Sequence, residues 1–326
     1  MKRSFSGLTT GRRLVAALAW GLLLGNLTAI GCGAGQDGQA QSSGDREAEN
    51  AWTIGVLTGP SPFELSAPAN VTNPVLRGED VTDLDVNIVA HPFMIATDSA
   101  YYLFFTAKSD KKKEGGIGLA ESSDGLHWKH RRIVVDEPYD LSYPYVFKWQ
   151  DDYYMTPEAH TETAVRLYKA TAFPDQWQYQ GDIISGDHYI SPTIFRHDDM
   201  WWMFAARLGN ETLRLFYAAE LMGPWTEHPQ SPVIEKNLDT ARPAGRPLEI
   251  DGRLYRIGQD CYPTYGNRAL AFEITTLSTT DYAETMIETP LVQASSSGWN
   301  AEAMHHVDAW QVGPGRWLAV VDALGR

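Results

Sequence analysis

One phrase recurs along this chain about every 50 residues, and it limits what the chain can become. The first four copies open on X-Pro, and a full copy runs into an apolar-aromatic strand, turns into a second aromatic strand, and goes on to a third. His91-Pro92-Phe93-Met94-Ile95 leads to Tyr101-Tyr102-Leu103-Phe104-Phe105. Tyr143-Pro144-Tyr145-Val146-Phe147 leads to Tyr153-Tyr154-Met155, and Ser191-Pro192-Thr193-Ile194-Phe195 leads to Trp201-Trp202-Met203-Phe204. Arg242-Pro243 opens a weaker fourth copy, with Arg253-Leu254-Tyr255-Arg256-Ile257 after it. His306-Val307-Asp308 opens a fifth, with Arg316-Trp317-Leu318-Ala319-Val320. Trp128, Trp177 and Trp225 close three copies, and Tyr282 stands in that place in the fourth. A period of this length built from short strands marks propeller blades. The expected fold is all-β, a five-bladed β-propeller, in which equivalent positions of every blade surround one central funnel.

Length agrees with five blades. At about 50 residues each they occupy roughly 250 residues, which nearly exhausts the part of the 326-residue chain that reads as folded. No long stretch after residue 50 carries a helical period of apolar residues. Residues 1–31 read as a signal peptide: Lys2, Arg3, Arg12 and Arg13 precede an apolar run from Leu14 to Leu24, too short for a comfortable membrane span. The run ends in Ala29-Ile30-Gly31-Cys32, similar to a bacterial lipoprotein cleavage box, with Ala29 where Leu is usual. Cys32 is then the expected lipidation site, secretion without lipid being the alternative. Residues 32–50 read as a flexible tether and 51–326 as the propeller. The expected location is the bacterial cell envelope, held there by lipid, with no other membrane contact.

Charge narrows the partners. The chain carries a net −14, and loss of residues 1–31 would remove four basic groups and no acids. Such a surface repels phosphate backbones, so nucleic acid is excluded, while neutral or cationic ligands are easier to accept. With Cys32 lipidated, Cys261 has no disulfide partner.

A propeller must also join its last blade to its first. After Trp317 the chain leaves room for only two strands in the fifth blade, so Trp52-Thr53-Ile54-Gly55-Val56-Leu57 is expected to supply an outer strand there. Ser122-Ser123-Asp124-Gly125, with Trp128 three residues on, reads as a structural hairpin corner with the indole packed beneath it. The run Lys111-Lys112-Lys113 reads as a solvated hairpin tip.

Several phrases in order carry a resemblance: AHPFMIATDSAYYLFF from Ala90, GIGLAESSDGLHW from Gly116, LSYPYVFKWQDDYYMTPEA from Leu141, ARPAGRPL from Ala241, QDCYPTYG from Gln259 and MHHVD from Met304. Together they resemble the N-terminal propeller of glucosamine inositolphosphorylceramide transferases, a module distantly similar to the five-bladed propellers of glycoside hydrolase family 43. The likeness runs from about residue 85 to 323. It implies a propeller and a carbohydrate ligand. Sugar transfer is not expected, because in the plant transferases a separate C-terminal domain performs it and no such segment follows Arg326. The resemblance also implies Asp at the first and third X-Pro positions. His91-Pro92 and Ser191-Pro192 stand there, and Arg242-Pro243 in the fourth, so a water-activating Asp is missing from each place.

Glycosidic hydrolysis ordinarily needs two carboxylates across a cleft. The repeat places Glu158, Asp260 and Asp322 at the ends of second strands and Asp308 on the first strand of the fifth blade. Each can instead pair with Arg207, Arg242 or Arg246 and join blades. If the funnel is catalytic, Glu158 is the expected proton donor and Asp260 or Asp308 the base. Arg242 and Arg246 position substrate, with His91, Tyr143, Tyr145, Tyr262 and His306 as further binding groups. His305, His306 and His91 could meet a metal with Asp308 or Glu158, but hydrogen-bonding histidines are the preferred reading. Neighbouring residues on a strand point to opposite faces, so only one of the His305-His306 pair is expected to face the funnel. No metal or cofactor is expected. The leading expectation is a monomeric, family-43-like propeller that acts on or recognises a glycan, with hydrolysis left open. The alternatives are a non-catalytic glycan-binding lipoprotein and a protein-interaction scaffold.

Overall fold

The computed structural model of the chain describes residues 51–109 and 114–325, and it forms five antiparallel sheets. The signal segment, Cys32, the tether and Lys111-Lys112-Lys113 lie outside the described residues. The first blade consists of Ile88–Ala96, Tyr101–Lys108, Gly115–Ser122 and Lys129–Val135, inner strand first. Ser142–Trp149, Asp152–Glu158, Ala164–Ala172 and Gln176–Ser185 make the second. The third holds Tyr189–His197, Met200–Arg207, Leu213–Ala218 and the short Thr226–Glu227. Five blades stand where five copies of the phrase were counted.

The fourth blade shows why its copy reads weakly. Its inner strand is broken into Arg242–Pro243 and Leu248–Ile250, both paired with Arg253–Asp260. Between the pieces Gly245 has φ 152°, and a Cβ there would sit 2.0 Å from the Val307 carbonyl oxygen. Only glycine tolerates both the conformation and that approach. The outer part of this blade is Arg268–Leu277 with Tyr282–Met286 and Val292–Gln293.

Closure follows the expectation from the N-terminal segment. The fifth blade is ordered Val307–Gly313, Arg316–Leu324, Trp52–Ser61, Glu64–Ser66 from the inside outward. Trp52 pairs with Leu324, and the register runs unbroken to Gly59 opposite Trp317. First and last parts of the folded chain thus share one sheet, which leaves no open edge between them.

Core packing lies between blades. The strand Tyr101–Lys108 is buried over five consecutive residues rather than alternately, because neighbouring blades cover both of its faces. Phe93, Phe104, Tyr145, Met155 and Met203 belong to a cluster spanning the first three blades. Ile54, Val56, Met94, Leu103 and Val320 join the fifth blade to the first. Three indoles pin their corners: Trp128 Nε1 donates to the Gly125 carbonyl at 3.1 Å, Trp177 to Pro174 at 2.9 Å and Trp225 to Leu221 at 3.0 Å. Ser122 and Asp124 brace the first corner by accepting turn N–H groups.

Candidate functional site

The X-Pro positions carry strain that the sequence pattern hides. His91, Tyr143 and Ser191 have φ of 48°, 47° and 48°, a region that non-glycine residues seldom occupy. In each blade the X and Pro residues together oppose a single residue on the second strand, since pairing jumps from Ala90 to Phe93, Ser142 to Tyr145 and Ile190 to Thr193. Such a bulge bends the inner strand and re-aims the X side chain. Each strained N–H is then caught by a side chain of the preceding blade. His91 N donates to Asp322 Oδ2 at 2.8 Å, Tyr143 N to Thr106 Oγ1 at 3.0 Å, and Ser191 N to Glu158 Oε2 at 2.9 Å. The second-strand acids therefore fasten one blade to the next.

Around these bulges two charged clusters form. In the first, Arg242 donates to Ser191 Oγ at 3.1 Å and to Asn210 Oδ1 at 3.0 Å, and lies 3.4 Å from Glu158 Oε2. Glu158 is buried, yet Arg242 overcomes the cost of burial and holds its carboxyl down at about 2. His160 Nδ1 stands 3.5 Å from the other oxygen of Glu158, which raises the imidazole above its ordinary range. The ring of Tyr265, 44% exposed, lies 5.4 Å from the Arg242 guanidinium and meets His305 edge-on. In the second cluster Arg246 donates to Asp308 Oδ1 at 2.9 Å and to the Val146 carbonyl at 2.9 Å. Asp308 Oδ2 accepts from Met94 N at 2.7 Å and from Trp310 Nε1 at 3.2 Å. Tyr145 packs under Arg246, and burial pushes its phenol to about 12.

Tyr143 ties the centre together. Its hydroxyl bonds Thr193 Oγ1 at 2.9 Å and accepts from Gly245 N at 3.1 Å, while its ring meets His91 and His306 edge-on. His91 stacks on His305 with ring centres 4.8 Å apart, and His305 stacks on Trp52 at 3.8 Å. His305 Nδ1 and Asp322 Oδ1 are 2.6 Å apart. Burial holds His91 and His305 well below the usual imidazole range and pushes Asp322 up to about 6.

The expected residues thus divide. Glu158 and Arg242 meet in one cluster and Arg246, Asp308 and Tyr145 in the other, while Tyr143, His91 and His306 pack together at the centre. Asp260 turns toward its own loop, where its carboxylate accepts from Tyr262 N at 2.9 Å and Arg268 Nε at 2.8 Å. Tyr262 stands 62% exposed on that loop. The alternation argument for His305 and His306 fails, because both precede the strand that begins at Val307. Both rings flank His91, His306 through an edge contact and a bond from Nε2 to the Pro92 carbonyl at 3.0 Å. Three residues of the site went unassigned in the sequence: His160, Tyr265 and Trp52. Tyr265 sits in the QDCYPTYG phrase and His160 two places after Glu158, but Trp52 carried no signal beyond its strand.

A family model described as glucosamine inositolphosphorylceramide transferase 1, N-terminal, matches residues 44–324. The chain belongs to that family. Glucosamine inositolphosphorylceramide transferase 1 of Oryza sativa subsp. japonica is 36% identical over 301 residues, covering 85% of this chain, and the Arabidopsis thaliana protein is 35% identical over 311 residues, covering 87%. The family member described here spans 40% of the length of either relative. Among solved structures, a thermostable family-43 glycoside hydrolase superposes with a TM-score of 0.56 at 14% identity, covering 78% of this chain and 92% of its own. The GH62 α-L-arabinofuranosidase catalytic domain of Coprinopsis cinerea gives 0.57 at 12% identity, covering 85% and 98%. The family's N-terminal module therefore has the propeller fold found in glycoside hydrolases.

Proposed function

We propose that this chain recognises a glycan at its funnel mouth and holds it without cleaving it. The observation that carries this reading is the pairing of every candidate acid. Glu158 is held by Arg242, Asp308 by Arg246, Asp260 by Arg268 and Asp322 by His305. Glu158 at about 2 is ionised across the physiological range, so it suits accepting hydrogen bonds from sugar hydroxyls and does not suit donating a proton to a leaving group. Tyr265, partly exposed beside Arg242, offers aromatic surface for a pyranose ring next to the charged groups of the Arg242–Glu158 pair, a combination that sugar sites use.

The plant relatives' name points to glucosamine, and a chain of net charge −14 favours a cationic amino sugar over an anionic one. Export and anchoring through Cys32 would present this funnel to glycans of the cell envelope. One observation favours hydrolysis as a second reading: Glu158 at about 2 and Asp322 at about 6 are pushed apart, as an acid and base pair would be. Against it, both Asp322 oxygens are already bonded within the protein.

A glycan array probed with the protein, followed by product analysis on every hit, separates the two. Binding with no released sugar supports recognition, and turnover that Glu158→Gln abolishes would replace it with hydrolysis. No hit at all would remove the glycan from the reading.

A further inference from the structure

His91, His305 and Asp322 form a buried cluster of their own at the centre. It brings together residues from the first-blade bulge, the segment before Val307 and the second strand of the fifth blade. Each offers one ligand atom, and the three atoms all lie within 4.8 Å of one another. All three residues are at least nine-tenths buried. His91 Nδ1 faces Thr106 Oγ1 at 3.1 Å, which fixes the ring, while its Nε2 is buried with no hydrogen-bond partner. A buried ring nitrogen left without a partner costs on the order of 1–3 kcal/mol, and when Nδ1–H donates to Thr106 Oγ1 the Nε2 lone pair is free to take an ion.

We propose that His91, His305 and Asp322 bind a divalent transition-metal ion, zinc, through His91 Nε2, one ring nitrogen of His305 and a carboxylate oxygen of Asp322. Two imidazoles and a carboxylate make a borderline ligand set that suits zinc and not calcium or magnesium, which prefer oxygen. Zinc bonds of about 2.0–2.1 Å place tetrahedral ligand atoms roughly 3.3 Å apart, so the widest pair closes on the ion, and where His305 binds through Nδ1 its 2.6 Å hydrogen bond to Asp322 Oδ1 gives way to it. Thr106 orients His91, and backbone N–H groups of His91 and His305 orient Asp322, the outer partners such sites use. Three protein ligands leave a fourth position for water or a ligand hydroxyl.

The test is calorimetric titration of the chelator-treated full chain with zinc chloride, with cobalt(II) absorption as a second readout. One ion per chain is expected, with visible cobalt d–d bands of a nitrogen-ligated site. His91→Gln and His305→Gln should each weaken binding by more than about 100-fold, beyond the 10–100-fold that outer partners cost. His127→Ala and His197→Ala, both on the surface, should leave it unchanged. If the central variants fail to fold, the cobalt spectrum of the surface variants decides: retained bands support the site, and lost bands overturn it. Zinc binding that survives both central substitutions, binding of calcium but not zinc, or no binding at all also overturns the proposal. None of these readouts involves a glycan.

Discussion

At the scale of single residues, the centre of this propeller is held by charges that also limit its chemistry. Three non-glycine residues at φ near +48° are costly, of order 1–3 kcal/mol each, and the acids of preceding blades keep two of them in place. Arg242→Ala would leave Glu158 buried with its countercharge gone, so we expect a loss of about 3 kcal/mol or more in denaturant unfolding. Combined with Glu158→Gln, the loss should be smaller than the sum of the two single changes, and a double-mutant cycle reads that difference. Glu158 also sets an acid limit. Its folded pKa of about 2 lies below the ordinary 4.5, so its contribution is complete above about pH 4.5 and is lost as pH falls toward 2. The wild type should therefore lose stability more steeply over that window than Glu158→Gln does, and equal slopes would show that Glu158 does not supply the effect.

At the scale of elements, the strands and corners were legible because their signals are local and repeated. X-Pro, the aromatic alternation and the Trp corners each reappear at a fixed place, so one copy interprets the next. The closing strand was legible through arithmetic on what the fifth copy lacks. Deleting residues 51–60 should abolish the cooperative melting transition, because Trp52–Ser61 pairs along nearly its whole length with Arg316–Leu324. A sharp transition in the truncated protein would contradict the closure. The hairpin at Asp198 and Asp199 offers an independent check. Both residues have positive φ in a two-residue turn between paired His197 and Met200, the geometry that Asn-Gly favours. Replacing the pair by Asn-Gly should relieve the two positive φ angles at the expense of only the exposed Arg196–Asp199 contact, raising stability by roughly 1 kcal/mol.

For the whole molecule, the sequence revealed the architecture and only part of the site. His91, Tyr143, Glu158, Arg242 and Asp308 were expected to point inward because the repeat marks those positions, and all five are buried. Asp260 was placed by the same rule, but Arg268 and Asn267 draw it into a local loop, an interaction the period cannot register. Trp52 and Tyr265 reach the centre from a closing strand and a loop, and neither belongs to the repeated phrase. The stacking of His305 on His91 depends on backbone that leaves the strand pattern just before Val307. What remains is a ring whose centre is rich in charge but poor in free acid.

Hydrogen exchange with and without the glycan selected from an array tests that account most directly. Protection should concentrate at residues 158–160, 242–246 and 260–267, around the mouth that Glu158, Arg242 and Tyr265 form. Protection confined to the outer strands of the blades, with those three segments unchanged, would contradict it.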